Sequence, residues 1–146
     1  MRRQIEMLAA VVVICTSAMA SPNDVPLKPG SYVITYSMEM NGQSMGEPAK
    51  SSPRCLKASD MSDPESVFSQ NAYNGMGRNP NCKITNFSSS GAEFTYDLEC
   101  PRSADHVEAT VGGDTFKVTR SAKGKTSRAV GVVTKIDGKR SGECKR

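Results

Sequence analysis

Apolar and polar residues alternate with a period of two over much of the chain, most clearly where Phe94, Tyr96, Leu98 and Cys100 oppose Glu93, Thr95, Asp97 and Glu99. A half-buried antiparallel strand imposes that period, because successive side chains leave opposite faces of the backbone. Cys82 and Ile84 open a weaker partner arm in which Phe87 falls out of phase, and Ser88 to Gly91 supplies the reversal, so 82–100 reads as a β-hairpin. Upstream, Tyr32, Ile34, Tyr36, Met38 and Met40 share a face in a strand opened by Gly30. Asn41-Gly42 predicts a two-residue turn that pairs Met40 with Gln43 and sets Met38 across from Met45. Pro48 and Pro53 predict a ragged return strand, since proline cannot donate to a central ladder.

Downstream, Val107, Ala109 and Val111 alternate with polar residues, and Phe116 and Val118 do so after Gly112-Gly113. A tight turn at the two glycines predicts Ala109 opposite Phe116 and Val107 opposite Val118. Ala122-Lys123-Gly124-Lys125 predicts the next turn. A strand through Val130, Val132, Thr134 and Ile136 then ends at Asp137-Gly138, and a short terminal strand runs from Lys139 to Cys144. One segment reads as helical, for one or two turns: Asp63 can cap, Pro64 suits the first helical position, and Val67 and Phe68 make a small apolar face. Residues 71–81 read as a loop rich in Asn, Gly and Pro. The expected fold is all-β with one short helix, an antiparallel meander of about seven strands forming a curved sheet, sandwich or partly open barrel.

Arg2 and Arg3, an apolar run from Met7 to Cys15, and Ala18-Met19-Ala20 have the order of a secretory signal peptide. The expected organisation is therefore a signal peptide over 1–20, an extended and poorly ordered lead-in over 21–29, and a single disulfide-bonded β domain over 30–146. Acylation of Cys15 is the competing reading, and Ile14 stands where a lipoprotein signal wants a small residue. Export to the periplasm leaves Cys55, Cys82, Cys100 and Cys144, an even set in an oxidising compartment, and so predicts two disulfides. Cys55 with Cys82 and Cys100 with Cys144 is the favoured pairing, because the second link would pin a terminal strand that otherwise frays; Cys82 with Cys100 is its main rival. Zinc is disfavoured by the absence of a C-x-x-C pair and by a single histidine, His106.

The chain carries 19 Lys and Arg against 15 Asp and Glu, and removing Arg2, Arg3 and Glu6 with the leader leaves a formal charge of +3. The distribution is more informative than the total. Ser21 to Asp114 holds 7 basic and 12 acidic residues, whereas Thr115 to Arg146 holds 10 and 2. Lys117, Arg120, Lys123, Lys125 and Arg128 form a candidate anion patch for lipid phosphates or another envelope polyanion, weighed against a solvated face balanced by the acidic half. No aromatic residue follows Phe116, which leaves no platform for stacking bases and argues against nucleic acid.

The motifs that could carry catalysis are incomplete. Gly124-Lys125-Thr126 ends like a phosphate-binding loop, but the pattern needs glycine at Thr119. His106-Val107-Glu108 has the H-x-E spacing of zinc deaminases without the P-C-x-x-C that should follow. No Gly-x-Ser-x-Gly elbow presents a serine to His106, and Asp97 and Glu99 read as a solvated strand face. Met38, Met40 and Met45 are soft thioethers suited to Cu(I), against the plainer reading that they continue the apolar stripe and fill the core.

Pro29-Gly30-Ser31-Tyr32, Cys55-Leu56 before Asp63-Pro64, Cys82-Lys83-Ile84-Thr85, Leu98-Glu99-Cys100 and Gly138-Lys139-Arg140-Ser141-Gly142-Glu143-Cys144 occur in that order. Together they resemble the bacterial exported family called domain of unknown function 3617. The chain departs from the family pattern in placing Tyr32 second after Pro-Gly, behind Ser31, where an aromatic usually comes first. The resemblance implies a small periplasmic domain with four cysteines and no assigned activity. The functional expectation is a non-enzymatic binding or accessory protein of the cell envelope, a monomer without catalytic residues, metal or cofactor. Its partner would be an envelope protein, peptide or lipid, and its mature chain would lack a transmembrane segment. The alternative is a weak polyanion or anionic-lipid binder acting through the basic C-terminal third.

Overall fold

The computed structural model describes residues 24–69, 80–126 and 131–145; the segment read as a signal peptide over 1–20, residues 71–79 of the loop read over 71–81, Arg128 and Val130 lie outside them. The alternating stretches pair into one antiparallel sheet: β1 Gly30–Met40, β2 Gln43–Ser44, β3 Ala49–Lys50, β4 Arg54–Leu56, β5 Lys83–Ser90, β6 Glu93–Glu99, β7 Ser103–Val111, β8 Thr115–Gly124 and β9 Gly131–Gly142. Strand order is β2-β1-β9-β8-β7-β6-β5, with β3 and β4 also on β1. The sheet is open, because β2 and β5 end the path without meeting. The nine strands, against about seven expected, arise because the ragged return after β1 forms three short pieces interrupted around Pro48 and Pro53.

Several turns take the expected form. Asn41 and Gly42 both have positive φ, 51° and 77°, and Met40 pairs with Gln43. The Gly112-Gly113 expectation is displaced by two residues. Gly112 itself joins the ladder by donating to Thr115 O at 2.7 Å, Gly113 takes the positive φ, and Val111 rather than Ala109 faces Phe116. Faces survive a shift of two, but Val107 now stands opposite Arg120 instead of Val118. The turn expected at 122–125 is not there: β8 continues in register to Gly124, which pairs with Ser103. Asp137-Gly138 does not end a strand either, because β9 passes through it without interruption. The glycine serves close approach: a Cβ on Gly138 would overlap the ring of Phe116, its cross-strand partner.

Register stacks the inward residues in rows across the strands. Val111, Phe116, Gly138 and Ile34 form one row, and Phe94, Ala109, Val118, Ile136 and Tyr36 the next. A single short helix, α1 Pro64–Phe68, packs on these rows. The Asp63 carboxylate accepts from Glu65 N at 3.2 Å as its cap, and Phe68 sits 5.9 Å from Phe94 and 5.8 Å from Phe116, ring centre to ring centre. The lead-in is extended but belongs to the core. Val25 and Leu27 are buried, Val25 N donates to Met61 O and Lys28 N to Gly113 O. Its apolar residues cover sheet area that the short helix leaves open.

Phe87 returns to the inner face through a β-bulge. Thr85 pairs with Asp97 and Ser88 with Thr95, so Asn86 and Phe87 together oppose Tyr96. Asn86 takes φ 51°, a conformation asparagine tolerates, and Phe87 then stacks on Tyr96 at 6.2 Å. The two disulfides are Cys55–Cys144 and Cys82–Cys100. The favoured pairing of Cys55 with Cys82 and Cys100 with Cys144 is thereby corrected. Cys82 and Cys100 close the base of their own hairpin. Cys55 meets Cys144 because β4 and β9 flank the start of β1, where Ser31 pairs with both Cys55 and Gly142.

Candidate functional site

Beyond the aromatic rows the inward face turns polar. Tyr96, Val107, Arg120, Thr134 and Met38 form the third row, and Asp105 lies in the fourth between Leu98 and Ala122. Arg120 Nε donates to Asp105 Oδ2 at 2.9 Å, and its Nη1 donates to Glu65 Oε1 at 3.2 Å, with Glu65 supplied by α1. Tyr96 Oη donates to the same Glu65 oxygen at 2.5 Å. Glu65 and Asp105 are buried and Arg120 nearly so. Burial works against the Arg120 charge, but the Glu65 and Asp105 carboxylates outweigh it and raise the guanidinium pKa. Burial, then the Glu65 charge, pushes the Tyr96 phenol far up, so it stays protonated and donates to Glu65.

Asp105 Oδ1 has no hydrogen-bond partner among the described residues. The cluster borders a hollow of about 350 Å³ beside the Cys82–Cys100 bridge, lined also by Ser69, Asn81 and Arg102. The phase of the sequence carried this cluster's signal: Asp105 keeps step with Val107 and Ala109, and Arg120 with Phe116 and Val118. A charge on an apolar face needs a buried partner.

Arg120 is therefore an interior residue committed to two carboxylates, separate from the surface cations of the candidate anion patch. Arg128 lies outside the described residues. Lys117 projects from the outer face, 4.0 Å from Asp137, and Lys125 follows the end of β8. Lys123 pairs across from Ala104 and Gly131 on the outer face. The outer face holds a second hollow of about 500 Å³, where β1, β9 and β8 run side by side. Val33 and Thr115 line it with Lys50, Lys117, Lys139 and Arg140. Lys50 and Lys139 are exposed and form no ion pair among the described residues, whereas Arg140 pairs with Glu143 and donates from Nε to Pro29 O at 3.1 Å. Sequence reasoning missed Lys50, which lies far from the basic third and is brought to it only by β3 pairing with β1.

His106 is on the outer face. Its Nδ1–H donates to Asp97 Oδ1 at 2.6 Å, its Nε2 lies 3.7 Å from Glu108, and Asn86 donates to the other Asp97 oxygen at 2.7 Å. Hydrogen bonding to Asp97 raises the His106 pKa, and hydrogen bonds from Asn86 first and His106 second lower that of Asp97. Ser121 is the cross-strand neighbour of His106, but the ring's free edge points to Glu108 and no hydrogen bond joins the two. Gly124 of the partial phosphate-loop motif is a ladder residue. Among the described residues no group of three or more His, Cys, Asp or Glu is placed to hold a metal ion.

Three of the motifs that carried the family resemblance, those around Gly30, Cys55 and Arg140 to Cys144, meet where β4 and β9 flank the start of β1, whereas the Cys82 and Cys100 motifs lie on β5 and β6 at the far edge. A Cβ on Gly30 would collide with Arg140 and with Gly142 O, Ser141 Oγ donates to Ser31 O at 3.1 Å, and Cys144 bonds Cys55. These residues close the fold. The family model Protein of unknown function (DUF3617) matches residues 27–144. No curated protein and no solved structure matches the chain.

Proposed function

The chain belongs to the DUF3617 family, and from that premise we propose that it is a non-enzymatic binding or accessory protein of the cell envelope, exported to the periplasm, whose ligand is an anionic lipid or similar polyanion. The outer-face hollow carries this reading. Its lining holds the half-buried Val33 with Thr115, and sets Lys50, Lys117 and Lys139 against Asp137, while the fourth cation, Arg140, pairs with Glu143. Such a recess matches an amphiphile whose phosphate meets lysine ammonium groups while its apolar part lies along Val33 and the lysine stems. Support for export comes from the two disulfides, which form and persist in oxidising compartments. No helix among the described residues is long and apolar enough to cross a membrane.

Vesicle flotation tests the reading. The wild-type chain is expected to bind vesicles containing phosphatidylglycerol, to ignore phosphatidylcholine vesicles, and to release as salt shortens the range of surface charge. Lys117→Glu with Lys139→Glu should abolish binding while leaving the fold intact, since both side chains are exposed. Equal binding by that variant, or no binding by wild type at low ionic strength, overturns it.

A further inference from the structure

We propose that Met38, Met40 and Met45 form a Cu(I) site on the inner face of the β1–β2 hairpin. The plainer reading, that these methionines fill the core, is weakened by where the fold puts them. The buried core cluster takes Tyr32 and Ile34 from β1, and Tyr36 packs against it, but Met38 and Met40 are in neither group and are only half-buried. Met45 is 57% exposed, the exposed large hydrophobic of the described residues. Three apolar side chains thus stand at the wet end of the stripe where burial stabilises them least.

The hairpin then brings their sulfurs within reach of one another. Glu39 pairs with Ser44 and Met40 with Gln43, and Met45 N donates to Met38 O at 2.8 Å, so the register continues to set Met45 directly across from Met38. Residues opposite each other share a face with Cα atoms about 5 Å apart, and Met40 lies two residues along that face, about 7 Å away. Each methionine has three rotatable bonds beyond its backbone, ample for three thioethers to converge on one ion. Thioethers are neutral and soft, a donor set that selects Cu(I) over the hard divalent cations.

The surroundings suit a monovalent cation. The cross-strand neighbours on β9 are Thr134 beside Met38 and Val132 beside Met40, neither charged. The nearest row-mate cation, Arg120, is neutralised by Glu65 and Asp105. All four cysteines of the described residues are in disulfides, so thiolates there do not compete.

The test uses the full chain with its disulfides intact and any free thiol capped with N-ethylmaleimide. Anaerobic Cu(I) is titrated against a chromophoric Cu(I) chelator, and Ag(I), a redox-inert soft analogue, is followed by the NMR shifts of the methionine methyl groups. One Cu(I) per chain is expected, with the three methyl resonances moving together. Met45→Leu, at an exposed position that cannot unfold the domain, should weaken binding by about tenfold or more. Met38→Leu, Met40→Leu and Met45→Leu combined should abolish it with an unchanged far-ultraviolet dichroism spectrum, because these swaps nearly conserve volume. Failure of the wild type to compete with the chelator, or binding that survives the triple substitution, overturns the site.

Discussion

Arg120 holds two buried carboxylates apart and together: it donates to Asp105 on the neighbouring strand and to Glu65 on the helix, while Tyr96 donates to Glu65 from two strands away. Removing one partner from such a buried set strands the others, which typically costs about 3–5 kcal/mol. Arg120→Met should therefore lower the unfolding free energy by about that amount in urea titration, and Lys123→Glu, an outer-face change, should leave it nearly unchanged. A substitution at Arg120 thus reports on the interior and says nothing about surface anion binding. His106 makes a smaller and pH-dependent contribution. Its folded pKa is raised by Asp97, so the stabilisation is fully present below the ordinary histidine value of ~6.5 and is lost as pH rises through the raised folded value. Asp97, held below the ordinary carboxylate value, contributes above that value and loses its contribution only as pH falls through the depressed one. The His106 side chain is 53% exposed and that of Asp97 35%, so solvent screens the pair and the effect is small. Melting temperature should decline modestly across the histidine range in wild type, and Asp97→Asn should flatten the decline.

At the scale of elements, the hairpins owe their registers to single residues with special backbone freedom. Asn86 at positive φ creates the bulge that returns Phe87 to Tyr96 and Phe94, and Gly113 at φ 79° sets the β7–β8 turn. Gly138 has another role, since its backbone is ordinary strand and its lack of a side chain admits the Phe116 ring. Gly138→Ala should overpack that contact and cost about 1–3 kcal/mol by chemical denaturation. Combining it with Phe116→Leu should cost less than the sum of the two single changes, because the smaller side chain vacates the space the new methyl needs.

For the whole molecule, the two disulfides do different work. Cys82–Cys100 spans 18 residues within one hairpin, whereas Cys55–Cys144 spans 89 and ties the strand edge after β1 to the C-terminus. By loop-closure entropy the short link contributes about 3 kcal/mol and the long one about 4.5 kcal/mol, either a large part of the stability of a domain this size. Cys55→Ala with Cys144→Ala should destabilise more than Cys82→Ala with Cys100→Ala in guanidinium melts. Peptide mapping without reduction should recover 55 with 144 and 82 with 100, and thiol titration of denatured protein should find none of the four free.

By itself the sequence determined the strand period, the Asn41-Gly42 turn, the capped helix at Asp63-Pro64, the four-cysteine frame and the family resemblance, because each depends on residues close in the chain or on their bare order. The tertiary structure alone decided which cysteines meet and that β9 runs unbroken through Gly138. The same holds for Lys50 joining the basic rim and for the methionines lying outside the core. Those outcomes follow from closing β9 against β1, a pairing between the two ends of the domain that local periodicity cannot express. A two-residue shift at Gly112-Gly113 preserves every face and yet changes every β7–β8 partner, which is why the sides of the sheet were legible and the cross-strand pairs were not, and Glu65 reaches Arg120 only because α1 packs on that face.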